Sequence, residues 1–398
     1  MSTGSYWLEG RQPRSPSLKG DHQADVVLIG AGVAGASAAL ALADSGVSTV
    51  WLEAGTVSIG ASGRNAGFVL QGTCERYSRA AAIMGHERAR AVHTLSRQNH
   101  QAMVEAIDRF GIDCGYQRRG SLQLAESPSE ERDLTESAAL LNADGFVAQE
   151  LSGDQLPAWC AEAGFRHGVF LPDDGELDPA AFVSGVADAA VAGGVRLFER
   201  SPVLEVSAPE AGDAYVRTPD GSVRASLVLA CTNAWAGELF PWFRDLVSPV
   251  RGQMLATAAV PPLFHCPVYA DHGFDYWRQD RHGVIVLGGW RNLDPHAEVG
   301  IEDRLHPEIQ DSMTAFIHRF SALRGVEITH RWAGTMGFSR DGQPIVGSVP
   351  GSPGALAAVG FTGHGFGFAW LCGRALVELA NHGQSEVATL FSSRRLIV

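Results

Sequence analysis

The feature that most constrains the fold is a glycine-rich turn between an apolar strand and a helix of small residues. Val26–Ile29 are continuously apolar, which is typical of a strand buried on both faces of a parallel sheet. The sequence G-A-G-V-A-G follows at 30–35, and a second apolar stretch, Thr49–Leu52, ends at Glu53. A G-x-G-x-x-G turn in this context predicts a βαβ unit that binds a dinucleotide.

Each residue type in this unit has a physical role. Gly30 permits the tight turn, Gly32 lets a diphosphate approach the backbone, and Gly35 lets the helix pack closely on the strand. The helix N-terminus offers unpaired N–H groups to phosphates, and Glu53 can accept hydrogen bonds from a ribose diol. A glycine-rich turn with only a structural role is the alternative. The residues predicted to contact the dinucleotide here are Gly30, Gly32, Val33, Ala34, Gly35, Glu53 and Ala54.

Two further glycine-rich segments distinguish the possible dinucleotides. Residues 60–67 (G-A-S-G-R-N-A-G) carry one cation, and residues 360–367 (G-F-T-G-H-G-F-G) open a second helix. Two such helix openings suit a long, extended dinucleotide with one helix near each end, which favours FAD over NAD. The second segment has a packing loop as its alternative. The predicted contacts are Ala61, Ser62, Arg64, Asn65, Ala66, Gly67, Gly363, His364, Gly365 and Phe366.

Composition excludes several classes of function. The net charge of −13 disfavours nucleic acid and anionic membranes as partners. Lys19 is the only lysine, so neither a P-loop lysine nor a Schiff-base lysine is expected in the folded body. The cysteines are widely spaced, which favours reduced thiols over a disulfide framework or a metal site. We predict a cytoplasmic protein without a signal peptide, because residues 1–24 are polar and charged throughout and contain no apolar segment. Glycines interrupt the uncharged run Val26–Ala43, which argues against a membrane span.

Several motifs together resemble the FAD-dependent amine and amino-acid oxidoreductases of the D-amino-acid oxidase (DAO) family, which includes glycine and sarcosine oxidases. The resemblance covers nearly the whole chain. The S-G-R-N and D-Y-W-R motifs most resemble the gamma-glutamylputrescine oxidase branch. The motifs are S-G-R-N at 62–65, D-G at 174–175, D-P at 178–179, L-V-L-A-C-T-N-A-W at 227–235, P-V-R-G-Q at 249–253, D-Y-W-R at 275–278, W-A-G-T at 332–335, P-I-V-G at 344–347 and G-H-G at 363–365.

The resemblance implies an α/β fold in which a Rossmann-type FAD-binding domain is interleaved with a substrate domain. The FAD domain would comprise residues 20–80, 178–236 and 332–398. The substrate domain, built on a mostly antiparallel sheet, would comprise residues 81–177 and 237–331. Further FAD contacts are implied at Val203, Thr232 and Gly337.

The resemblance also implies an active site. Tyr276 matches a tyrosine that glycine oxidase places over its substrate, and Arg278 should share its face of the strand. Burial beneath Tyr276, Trp290 and Trp332 would favour the neutral amine over the ammonium form. The residues predicted to line the site are Tyr276, Arg278, Arg64, Trp332, Met336 and His364.

Departures from the family pattern carry information. Met336 stands where glycine and D-amino-acid oxidases have an arginine that binds the substrate carboxylate. No cysteine lies near residues 332–336, where sarcosine oxidases attach their flavin, so non-covalent FAD is expected. Gly367 stands where sarcosine oxidases use a lysine after the G-H-G-F sequence, and a chain whose only lysine is Lys19 cannot match the lysine that activates oxygen in those enzymes.

The implied reaction is hydride transfer from the carbon next to an amine nitrogen to flavin N5, hydrolysis of the imine, and reoxidation by O₂ to give H₂O₂. The implied partners are therefore a small amine and O₂. Three alternatives stay open: a flavin dehydrogenase that uses a quinone-type acceptor, an NAD-dependent dehydrogenase, and a non-catalytic flavin-binding subunit. The identity of the amine and the oligomeric state are also open.

Overall fold

The computed structural model describes residues 4–397, which form a mixed α/β fold. The helices are α1 (Val33–Asp44), α2 (Tyr77–Met84), α3 (His86–Phe110), α4 (Pro128–Ala143), α5 (Ala158–Ala163), α6 (Pro179–Ala192), α7 (Ala236–Leu239), α8 (Pro307–Ile317), α9 (Gly365–His382) and α10 (Glu386–Leu390). The strands are β1 (Gly20–Ile29), β2 (Thr49–Leu52), β3 (Phe68–Val69), β4 (Ser121–Leu124), β5 (Gln149–Ser152), β6 (His167–Leu171), β7 (Gly175–Glu176), β8 (Arg196–Phe198), β9 (Glu205–Ser207), β10 (Ala214–Arg217), β11 (Gly221–Ala230), β12 (Val247–Thr257), β13 (Val268–Ala270), β14 (Asp275–Gln279), β15 (Ile285–Gly289), β16 (Ile328–Ser339), β17 (Ile345–Val349) and β18 (Ser352–Val359).

The first sheet contains the predicted βαβ unit. Its strands lie in the order β17-β18-β11-β1-β2-β8, and β1 pairs in parallel with both β2 and β11. Val27 and Val50 face each other across the β1–β2 pair and are completely buried. Helix α1 packs against α6 and α9 on one face of this sheet. The parallel strands and the covering helices confirm the Rossmann-type prediction.

The second sheet is mostly antiparallel, as predicted. Its strands lie in the order β16-β12-β15-β14-β13-β4-β6-β5, and only the β13–β4 pair is parallel. Helix α8 packs on this sheet through Met313 and Phe316, which join a core around Trp277. A separate two-stranded sheet pairs β3 with β7.

Two predicted domain boundaries disagree with the packing. Strand β16 pairs with β12 along its whole length, so the boundary predicted at 332 falls inside a strand of the second sheet. Helix α3, placed in the substrate domain by the boundary at 81, packs instead on α9 beside the first sheet. The Asn99 side chain fixes this contact, because it donates to the Phe366 carbonyl and accepts from the Leu371 N–H. The rest of the domain division stays a prediction.

The N-terminal segment connects the loop 60–67 to the second sheet. The Ser5 hydroxyl donates to the Gly63 carbonyl, and the Trp7 indole N–H donates to the Asn65 carbonyl. The Tyr6 hydroxyl donates to Asp280, next to the end of β14. Nothing in the sequence analysis gave this segment a role. All six cysteines are free thiols. From residue 4 to residue 397, no helix has both the length and the apolar character needed to cross a bilayer.

Candidate active site

A cavity of about 510 Å³ joins the N-terminus of α1 to the N-terminus of α9 and continues along the second sheet. Neither helix start receives a capping hydrogen bond from its N-cap side chain, since Gly32 has none and the His364 side chain makes none. Both helix starts therefore present N–H groups and the positive end of a helix dipole to the same cavity.

Glycines at 30, 32 and 35 allow close contacts at the turn into α1 and in its first turn. Gly30 has φ +98°, and a Cβ atom there would lie 2.5 Å from the Cys231 carbonyl oxygen. A Cβ atom on Gly32 would lie 2.8 Å from Ser62 Oγ, which accepts the Val33 N–H. Gly35 does not line the cavity: a Cβ atom there would lie 1.9 Å from the Gly30 carbonyl oxygen, so its role is close packing. Val33 and Ala34 do line the cavity.

Glu53 lies at the carboxyl end of β2 and lines the same end of the cavity, beside Ala54. Its carboxylate accepts the Ala31 N–H at 2.7 Å and the Gly55 N–H at 2.8 Å. Burial raises the pKa of Glu53, and the two N–H donors act against that shift. Each oxygen keeps a lone pair that can accept a ribose hydroxyl. The set of glycine backbone, helix start and carboxylate fits an adenosine diphosphate.

The loop 60–67 forms the middle of the cavity wall through Ala61, Ser62, Arg64, Asn65 and Ala66. The Asn65 amide donates to the Ala61 and Ser62 carbonyls and accepts the Gly67 N–H, which holds the loop closed. Gly67 itself, with φ +76°, does not line the cavity, because it packs against the Leu177 carbonyl.

Arg64 borders the cavity with its charge already paired. Its guanidinium donates to Asp303 at 2.7 Å and to the Ala333 carbonyl at 2.9 Å. The Trp332 indole N–H donates to the Arg64 carbonyl. Trp332 is completely buried and does not line the cavity, which contradicts its predicted place in the substrate site. The long β12–β16 pairing buries it beneath the cavity wall.

Val203 and Thr232, both expected to contact FAD, line the cavity, and the buried Thr232 hydroxyl has no partner within residues 4–397. An unpartnered buried hydroxyl is costly unless a ligand or water satisfies it. Gly337 does not line the cavity. A Cβ atom there would lie 2.5 Å from Asn233 Oδ1, which accepts the Gly360 N–H and holds the loop before α9.

The start of α9 contributes Gly363, His364, Gly365 and Phe366 to the cavity. The His364 ring lies directly over Gly367, where a Cβ atom would be 2.3 Å from His364 Cδ2. Burial lowers the pKa of His364 to about 4, so the imidazole is neutral at pH 7. The space that a longer side chain at 367 would need is therefore occupied by this ring.

The far end of the cavity is an aromatic wall built on the second sheet. The Tyr276 ring packs edge-on against Phe68 and Tyr269, and its hydroxyl donates to Met254 Sδ at 3.5 Å. Gly288 makes room for this packing, because a Cβ atom there would lie 2.5 Å from Tyr276 Cε2. Burial raises the pKa of Tyr276 to about 12. Met336 also lines this end of the cavity.

The structure contradicts the prediction that Arg278 contacts substrate. Its guanidinium donates to the Ala66 and Leu177 carbonyls at 2.6 Å each and lies 3.6 Å from Glu176. It also stacks 4.9 Å from the ring centroid of Trp7 and does not line the cavity. Strand alternation gave its face of the sheet correctly but could not show that β7 and the N-terminal segment cover it. Trp290, also expected over the substrate, packs on Phe316 outside the cavity.

Sequence reasoning missed several residues of the far end, among them Phe68, Met254, Tyr269 and Arg291. These residues come from separate strands and turns, and none belongs to a motif. The only local sign for Arg291 was the pair Gly288-Gly289 just before it, since glycine inside a strand often marks a close approach.

Comparison with known proteins agrees with this geometry. The family model described as "DAO: FAD dependent oxidoreductase" matches residues 25–379. The chain belongs to this family. It is 26% identical to gamma-glutamylputrescine oxidoreductase of Escherichia coli, covering 98% of this chain and 92% of that protein. It is 25% identical to the probable oxidoreductase OrdL of Rhizobium meliloti, covering 98% and 91%. The crystal structure of glycine oxidase from Geobacillus kaustophilus has a TM-score of 0.78 at 22% identity, covering 92% of this chain and 96% of that one.

The FAD-dependent oxidoreductase family thus agrees with what the cavity can hold. The α1 start and Glu53 fit the adenosine diphosphate part of FAD. The loop 60–67 and the α9 start border the rest of the cavity, which leads to the aromatic wall around Tyr276.

Proposed function

We propose that this DAO-family oxidoreductase oxidises the C–N bond of a small amine or amino-acid-like molecule with non-covalently held FAD. One observation carries the proposal: the cavity that joins the two helix starts continues without interruption to the wall formed by Phe68, Met254 and Tyr276. The relatives named gamma-glutamylputrescine oxidoreductase and glycine oxidase support an amine or amino acid as substrate.

Bound FAD supplies the acceptor for a hydride from the carbon next to the amine nitrogen. The protein contributes orientation and a dry environment. Phe68, Tyr269 and Tyr276 exclude water from the far end and make the ammonium form unfavourable, so the amine is held in its neutral form. The α9 start places N–H groups and a partial positive charge where negative charge would be stabilised.

Non-covalent attachment is part of the proposal. Cys74 and Cys231 both border the cavity, but Cys231 lies at the adenosine diphosphate end beside Gly30. We expect acid precipitation of the purified protein to release all of its flavin. Flavin that stays with the precipitated protein, and is freed in a Cys74→Ser variant, would contradict this expectation.

The electron acceptor separates two versions of the proposal. O₂ is the acceptor in the first version and a quinone-type compound in the second. The only lysine, Lys19, is exposed at the start of the first sheet and does not line the cavity. Because no lysine lines the cavity, the dehydrogenase version is a specific alternative to the oxidase version.

Anaerobic flavin bleaching tests the function directly. The purified holoenzyme is mixed without oxygen with amino acids, N-methyl amino acids, and free and acylated diamines, and the flavin absorbance is followed. Bleaching by a member of this set supports the proposal, and recovery on adding air or a quinone identifies the acceptor. Flavin that none of these compounds bleaches would favour a non-catalytic flavin-binding subunit.

A further inference from the structure

Within residues 4–397, three arginines line the cavity, and they differ in whether their charge is paired. Arg64 pairs with Asp303, and Arg76 pairs with the buried carboxylate of Glu130. Among the same described residues, the Arg291 guanidinium has no hydrogen-bond or ion-pair partner. Glu75, a carboxylate that also lines the cavity, pairs with Arg79 at 2.8 Å.

Aromatic rings hold Arg291 in place. Its guanidinium carbon lies 4.6 Å from the ring centroid of Phe274 and 5.4 Å from that of Phe338. Contacts with ring faces stabilise the cation while leaving its N–H groups free to donate. Arg291 is thus fixed by packing, with its hydrogen-bonding capacity unused.

The same rings place Arg291 near the start of α9 and the aromatic wall. A Cβ atom on Gly363 would lie 3.5 Å from both Phe338 Cζ and Met336 Sδ. The positive charge of Arg291 acts to lower the pKa of Tyr276, against the larger effect of burial, so its field reaches the far end of the cavity. Met336, at the position where related oxidases have an arginine, is an uncharged neighbour of this region.

We propose that Arg291 binds the carboxylate of the substrate, which makes the substrate an amine that carries a carboxylate group. A guanidinium and a carboxylate form two parallel charge-assisted hydrogen bonds, a geometry that a free arginine in a cavity suits. Arg291, in the turn after β15, would thereby provide the positive charge that related oxidases have at the position of Met336 on β16. This inference rests on the proposed function.

The first test measures binding to the oxidised holoenzyme by the change in flavin absorbance. The probes are acetate and benzoate, compared with acetamide and benzamide. We expect the carboxylates to bind at least about 10-fold more tightly than the amides, and Arg291→Met to remove this preference. Arg291→Lys should keep part of it. Arg319→Met is the matched control, because Arg319 also lies over a phenylalanine ring, Phe316, but is exposed and outside the cavity.

The second test compares anaerobic flavin reduction by N-methylglycine and proline with reduction by their carboxamides. We expect Arg291→Met to raise the KM for the acids by about 10- to 100-fold, with little change for the amides and unchanged flavin content. Wild-type protein that treats acids and amides alike, or an Arg291→Met variant that loses its flavin, would overturn the inference. Arg291-dependent carboxylate binding in a protein that no amine bleaches would refute the proposed function and leave the anion site intact.

Discussion

The two ends of the cavity are built in different ways. At the α1 end, backbone groups of consecutive residues form most of the site, and Gly30 is required because a Cβ atom there would collide with the Cys231 carbonyl. At the far end, side chains from separate strands and turns form the wall, with Tyr276 on β14 and Met254 on β12 in contact. The site at the α1 end therefore depends on a short stretch of sequence, whereas the site at the far end depends on residues from many separate parts of the chain.

Arg278 lines neither end of the cavity, so replacing it tests whether its role is structural. Replacing it with methionine leaves the buried Glu176 carboxylate without its partner on β14, and we expect a loss of about 3–5 kcal/mol in the free energy of unfolding. Urea denaturation measures this loss. Arg281→Met removes a surface pair with Asp113 and an exposed hydrogen bond to His282, and should change stability by about 0.5 kcal/mol or less. A stable Arg278→Met variant with about 100-fold lower kcat/KM would instead show that Arg278 acts in the substrate site.

The Gly30→Ala substitution should weaken FAD binding at the α1 end of the cavity. The added methyl group would meet the Cys231 carbonyl at 2.5 Å in a residue with φ +98°. We expect about 10- to 100-fold weaker FAD binding, measured by equilibrium titration of flavin-free protein. Gly46→Ala is the matched control, because Gly46 also has positive φ, at +67°, but has open space around it. Equal loss of FAD in both variants would show that backbone strain, and not the close approach, is responsible.

Gly288→Ala makes the corresponding change at the side-chain end. Its methyl group would displace Met254 Sδ, 2.2 Å away, and the Tyr276 ring, 2.5 Å away. Because these contacts lie on the aromatic wall, we expect about a 10-fold lower kcat/KM for the best substrate, with normal flavin content. If the variant lost flavin as well as activity, the packing of the aromatic wall would also be needed for FAD binding.

Tyr276→Phe is the mildest change. Among residues 4–397, the hydroxyl group reaches only Met254 Sδ, a weak acceptor, so removing it keeps the ring packing. We expect kcat/KM to fall by only about 2- to 3-fold if the ring alone matters. A much larger fall, with a pH profile that shifts, would show that the hydroxyl group contacts the substrate.

The sequence located the turn at the α1 end, because glycine at this fixed spacing is typical of a turn between a strand and a helix. Tyr276 was predicted through the family resemblance. The prediction that Arg278 contacts substrate was wrong, because alternation along a strand shows which face a residue lies on but not which other elements cover that face. Arg291 could not be predicted, since its direction depends on a turn that begins at Trp290, a residue with φ +57°. The predicted boundary at 81 assigned helix α3 to the substrate domain, because nothing in its sequence shows that Asn99 hydrogen-bonds to α9.

The imidazole over Gly367 restricts how this protein could change. A Cβ atom at 367 would lie 2.3 Å from His364 Cδ2, so the imidazole must turn away before any side chain fits at this position. A lysine at 367, which sarcosine oxidases carry after the same G-H-G-F sequence, therefore needs a different orientation of this ring. Laboratory attempts to convert this protein into a sarcosine-oxidase-like enzyme should vary residue 367 together with Phe368, whose ring packs against the imidazole.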